Sequence, residues 1–162
     1  MAESDAFQSL AEFGIALAGF TSIVIVFGQR DGEFHPADRF RVFTALVLSL
    51  GAAFLALLPV GLDLVGLPPA AVWRVSSLVL VAYIGWYSVI AEIRPPAARV
   101  VLSSRLRNLF RALRLVAIVA SILNASGVFF SPQAGVYFFA VLCPLGIGAI
   151  VFVRVVFIRP AV

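Results

Sequence analysis

Apolar positions along this chain gather into five long runs, 7–28, 43–62, 72–91, 113–130 and 134–155, divided by short breaks rich in charge, proline or glycine. Each run approaches the roughly 20 residues that a helix needs to cross about 30 Å of hydrocarbon. Within them the apolar character is continuous, without the two-residue alternation that a membrane barrel requires. Helix is the structure left, because an isolated apolar segment in lipid must satisfy its own backbone groups. Local signals mark the ends. Ser4 and Asp5 read as caps for the first helix, and Pro59 with Gly61 as the close of the second. Pro68-Pro69 introduces the third; Ser131-Pro132 offers the fifth an N-cap followed by proline at the first helical position. The predicted fold is all-α: one polytopic transmembrane helical bundle over 1–162, with five spans. Four spans, with the fourth or fifth run re-entrant, is the alternative.

The segment 97–114 has a different pattern. Leu102, Leu106, Leu109, Phe110 and Leu113 recur at helical spacing, while Arg105, Arg107, Asn108, Arg111 and Arg114 occupy the remaining surface. This predicts a basic amphipathic helix, lying at the headgroup level or running straight into the fourth span. With Arg99 near its start, it is a candidate surface for anionic lipid or for an acidic cytoplasmic partner.

Composition sharpens the class. The 162 residues are 62% hydrophobic and 12% charged, against about 25% charged in soluble domains. A core this small cannot hide that excess. The 12 basic residues are all arginine, which points to a GC-rich bacterial genome, and all except Arg74 fall in the connections after the first and third runs or near the C-terminal end. The positive-inside rule then places the N-terminus outside and the C-terminus inside a cell's inner membrane. A net charge of +4 reads as this retention of arginine, not as affinity for nucleic acid. The opening MAESDAF lacks the basic n-region of a cleaved signal.

Few residues offer chemistry. Glu12 stands inside the first span, about 7–8 Å below its start at 1.5 Å per residue. Gln8, Glu12, Ala16 and Gly19 share a face that is expected to look toward protein or water. At similar depth, Asn124 and Ser121 share a face of the fourth span, and Arg74 and Asp63 stand at the outer ends of the third and second. Together Glu12, Asn124, Arg74 and Asp63 suggest an outer polar vestibule that binds or conducts cations, or a structural pairing that locks helices. Gly14 and Gly19, with Ala18 and Ser22, mark a close-packing face. Pro144 should free the carbonyl of Ala140 and bend the fifth span, with Gly146 and Gly148 as packing or hinge positions. Glu92 and Arg154 are placed to pair on the inner side. His35 is the only histidine and Cys143 the only cysteine, so no metal or cofactor is expected. The absence of a nucleophile elbow or a lysine-bearing phosphate loop argues against an enzyme.

The run LAGFTSIVIVFGQRD, Leu17 to Asp31, resembles the pore-lining first helix of the Orai calcium-channel subunits. The resemblance implies an oligomer with this helix at the centre of a pore. Phe27 stands where that family carries its filter glutamate, and the helix direction implied by the arginines is opposite, so no filter residue carries over. AEFGIALAGF, Ala11 to Phe20, is similar to small bacterial multi-pass membrane proteins. The expected function is a homo-oligomeric channel or transport-pathway subunit. The alternative is a membrane anchor, scaffold or sensor that docks a partner through its arginine-rich helix.

Overall fold

In a computed structural model, which describes residues 2–28, 36–93, 104–128 and 132–157, the chain forms five helices: α1 (Ala2–Gly28), α2 (Pro36–Leu64), α3 (Pro69–Ile93), α4 (Ser104–Ser126) and α5 (Ala134–Phe157). All five are long and apolar enough to cross a membrane, and no strand occurs among the described residues. Helices α2 to α5 form a ring. In it α2 and α4 stand diagonally apart, their backbones without close approach, whereas α5 touches every other helix. Helix α1 lies outside the ring against α2 and α5.

Several helix ends differ from expectation. Ser4 and Asp5 lie inside α1, which begins at Ala2. Helix α2 passes through Pro59 and Gly61 to Leu64; a proline interrupts only one backbone bond, which apolar surroundings tolerate in a spanning helix. Helix α4 stops at Ser126, four residues before the expected end, because Gly127 takes φ 65°, the left-handed conformation that closes helices and suits glycine. It is also one continuous helix from Ser104, so the described part of the basic segment leads straight into the fourth candidate span. Helix α5 starts after Gln133, whose carbonyl accepts from the Tyr137 amide at 3.4 Å, and it continues through the buried Pro144. Ser131 and residues 97–103 lie outside the described residues.

Lipid is as apolar as leucine, so helices in a membrane associate through close van der Waals fit and internal polar contacts. The packing here has that character. A Cβ on Gly14 would stand 2.8 Å from the Ser49 carbonyl oxygen and 3.1 Å from Ala53 Cβ, so this glycine sets the approach of α1 to α2. Gly148 plays the same part between α5 and α2, 3.1 Å from Ser49 Oγ at its Cβ position. The Tyr83 ring of α3 rests directly on Gly51, and its hydroxyl donates to the Val47 carbonyl at 2.6 Å. Tyr137 Oη donates to the Leu55 carbonyl, also at 2.6 Å.

The buried face of α1 is the heptad Phe7, Leu10/Ala11, Gly14, Leu17/Ala18, Thr21. Gln8, Glu12, Ala16 and Gly19 therefore point away from the protomer, opposite to the expected direction. The small residues of the heptad let α1 seat against α2, and this outweighs the pull of one carboxylate. At the end of the bundle holding the N-termini of α1, α3 and α5, Phe7 packs against Trp73, Tyr137 and Phe138 with ring centroids 5.5–5.9 Å apart. This aromatic plug closes that end.

Candidate functional site

The residues expected to form an outer vestibule do not meet. Glu12 is exposed and accepts a hydrogen bond from Gln8 Nε2 at 3.0 Å, one turn earlier on its own helix. Arg74 and Asp63 are exposed. Asn124 is fully buried and acts as a bracket: Nδ2 donates to Ser77 Oγ at 3.0 Å, and Oδ1 accepts from the Gln133 backbone amide at 2.8 Å. It thus ties α4 to α3 and to the start of α5. Only this amide orientation satisfies both partners, since a backbone N–H requires an acceptor. Among the described residues, no hydrogen bond or ion pair joins Glu12, Asn124, Arg74 and Asp63 to one another. Gly19 and Gly146 have open space where a Cβ would stand. Gly146 borders a shallow apolar groove between α1 and α5, lined also by Leu10, Phe13 and Phe138.

The polar concave site lies at the opposite, arginine-rich end. A cavity of about 390 Å³ opens between the diagonal helices α2 and α4, with α3 and α5 as side walls. Each helix delivers its lining residues at helical spacing: Arg41 and Thr44 from α2; Tyr87 and Ala91 from α3; Arg107, Phe110, Arg111 and Arg114 from α4; Ile147, Val151 and Arg154 from α5. The floor is apolar, a cluster in which buried Tyr87, Ile147 and Val151 pack with Ala45 and Leu48.

The wall is cationic. Among the described residues, five guanidinium groups, those of Arg41, Arg107, Arg111, Arg114 and Arg154, line the cavity with one carboxylate, Glu92. Glu92 pairs with Arg111 at 3.9 Å rather than with Arg154, and both partners are exposed, so the pair adds little stability. Arg114 is held by its own helix and by α3, donating to the Phe110 carbonyl at 3.3 Å and to Ser88 Oγ at 3.4 Å. Arg154 Nε and Thr44 Oγ1 are buried and have no hydrogen-bond partner. A buried donor left unsatisfied costs about 1–3 kcal/mol, so two of them on one cavity wall mark it as a place for acceptor oxygens.

The amphipathic stretch therefore divides. Arg107, Arg111 and Arg114 face the cavity; Arg105 is exposed outside it, and Arg99 lies outside the described residues. Sequence reasoning missed Arg41, Thr44 and Arg154 as members of the same site. The available signal was register: 41 and 44 share one face of α2, and 147, 151 and 154 share one face of α5, each face carrying an arginine just inside an apolar run. Among the described residues, no three His, Cys, Asp or Glu side chains lie together as a metal site would need.

This architecture defines a class: a five-helix bundle suited to a bilayer, plugged by aromatics at one end and bearing a cationic cavity at the other. Comparison with protein-family models, curated proteins and solved structures yields no match, so the likeness of Leu17–Asp31 to the Orai first helix rests on those residues alone.

Proposed function

We propose that this chain is a non-enzymatic integral protein of the bacterial inner membrane that binds an anion at the cytoplasmic end of its bundle. Its large exposed side chains support insertion in lipid: Phe13, Phe20, Phe54 and Phe139 are each more than half exposed within spanning helices. The arginine distribution supports the N-out, C-in orientation, with the cavity mouth at the level of the inner headgroups. One observation carries the functional reading: arginines from three helices converge on a single cavity that holds one acid among its described lining residues. Like charges gathered on one cavity repel, so such convergence is stabilised by a bound anion. Guanidinium groups also match phosphate and carboxylate oxygens in geometry.

The test is thermal unfolding of the purified protein in an uncharged detergent at low salt. Inorganic phosphate is expected to raise the melting temperature saturably, and the effect should fade as ionic strength increases. The double variant Arg107→Gln, Arg111→Gln should lose at least about tenfold in affinity while remaining folded, because both side chains are exposed. No stabilisation of the native chain by any anion would reject the reading.

Glu12 supports a second reading, a homo-oligomeric conduction pathway. Counted from Ser4, where the first candidate span begins, Glu12 lies about 12 Å deep, and its side chain faces outward from the protomer. Insertion scales put a mid-bilayer charge at about 2.5–3.5 kcal/mol, a cost that contact with a second copy offsets. Liposomes carrying the protein are then expected to pass cations, with Glu12→Gln changing the rate severalfold. Absence of flux, with Glu12→Gln leaving a monomeric protein unaltered, would exclude the pathway.

A further inference from the structure

We infer that the ligand of the arginine-lined cavity is an amphiphile with a phosphate head, its phosphate oxygens on Arg154 and Thr44 and its apolar part on the floor. The inference rests on the anion-binding reading and adds the ligand's class. Three observations lead to it.

Charge comes first. Among the described lining residues, five arginines against Glu92 leave a surplus of four. A single carboxylate neutralises one of these, whereas a phosphomonoester carries about −1.5 to −2 near neutral pH and presents three strong acceptor oxygens. Donor placement is the second. Thr44 is 4% exposed, and its hydroxyl and Arg154 Nε are both buried at the cavity wall without a partner. They belong to α2 and α5, and a multi-oxygen head satisfies both together. Shape is the third. The cavity volume of about 390 Å³ is within the range of small-molecule sites, about 300–1,000 Å³, and much larger than a bare phosphate fills. The remaining space is bounded by Phe40, Phe110, Ile147 and Val151, which offer no hydrogen bonds to a polar body and suit alkyl groups.

Such a molecule has two sources. It is either a phosphomonoester lipid of the surrounding leaflet such as phosphatidic acid, entering head first, or a single-chain phosphate arriving from water. Either one fills the space between α2 and α4, whose backbones do not approach each other closely.

The experiment measures melting of the full chain in maltoside detergent by intrinsic tryptophan fluorescence, during titration with inorganic phosphate, octyl phosphate, dioctanoyl phosphatidic acid and, as uncharged control, octyl glucoside. At least one alkylated phosphate should bind about tenfold or more tightly than inorganic phosphate, since each buried methylene contributes about 0.8 kcal/mol. Tighter binding of the phosphatidic acid assigns the site to membrane lipid; tighter binding of octyl phosphate assigns it to a water-borne amphiphile. Thr44→Val should weaken the alkylated ligand about tenfold without lowering the melting temperature of the ligand-free protein, because the hydroxyl it removes bonds to nothing there. Equal affinity for inorganic and alkylated phosphate would leave anion binding standing and overturn the amphiphile. An equal response to octyl glucoside, or an unchanged affinity in Thr44→Val, would overturn it too. No response to any phosphate would overturn both.

Discussion

Gly51→Val is expected to be the most damaging single substitution in the helical core, lowering the melting temperature in detergent by roughly 5–15 °C. The ring of Tyr83 occupies the volume that a β-carbon at position 51 would take. Tyr83 cannot simply swing aside, because its hydroxyl is bonded to the Val47 carbonyl one turn earlier on the same helix. Overpacking costs about 1–3 kcal/mol, and a lost hydrogen bond adds about 1 kcal/mol. Gly85→Ala is the matched control: it too is a glycine inside a helix, but nothing lies within 4 Å of its Cβ position, and alanine there should be neutral or slightly stabilising. The steric account also requires Gly51→Ala to be partly rescued by Tyr83→Leu. Equal melting temperatures for Gly51→Val and Gly85→Ala would show that α2 and α3 do not meet at this notch.

Asn124→Leu is the second large loss, expected to cost about 2–3 kcal/mol. The substitution is close in size, so the damage comes from hydrogen bonding. It strands the Gln133 amide at the start of α5 and removes the donor to Ser77. The serine can turn its hydroxyl to a carbonyl of its own helix, whereas the amide has no such recourse. Ser77→Ala should therefore cost clearly less than Asn124→Leu. Unfolding of the two variants under identical detergent conditions gives the order, and a reversed order would shift the structural role from the α5 start to the α3–α4 contact.

Asn124 also shows what the sequence conveyed and what it withheld. A fully polar amide inside an apolar run signals a partner, and its depth was readable by counting residues. Its partner was not, because Gln133 lies beyond a helix end that the sequence placed at 130 and Gly127 brings forward to Ser126. Five helices were legible because each apolar run has the length a bilayer would demand, which few other constraints mimic. The facing of α1 was legible in principle, since the heptad from Phe7 to Thr21 stands in the sequence, but Glu12 is the louder mark and points to the other side. Of the cavity, the arginines of α4 could be read directly. Their meeting with Arg41 and Arg154 follows from the diagonal gap between α2 and α4, a property of the ring and not of any one helix.

The late-synthesised α5 has a consequence for how this protein is made. It touches every other helix, and its Tyr137 reaches back 82 positions to the Leu55 carbonyl. Until it leaves the ribosome, the notch on α2 that receives Gly148 is open, so a nascent chain halted near residue 128 would present unfinished helix surfaces to quality-control proteases. Completion of α5 is thus the step that commits these helices to survival.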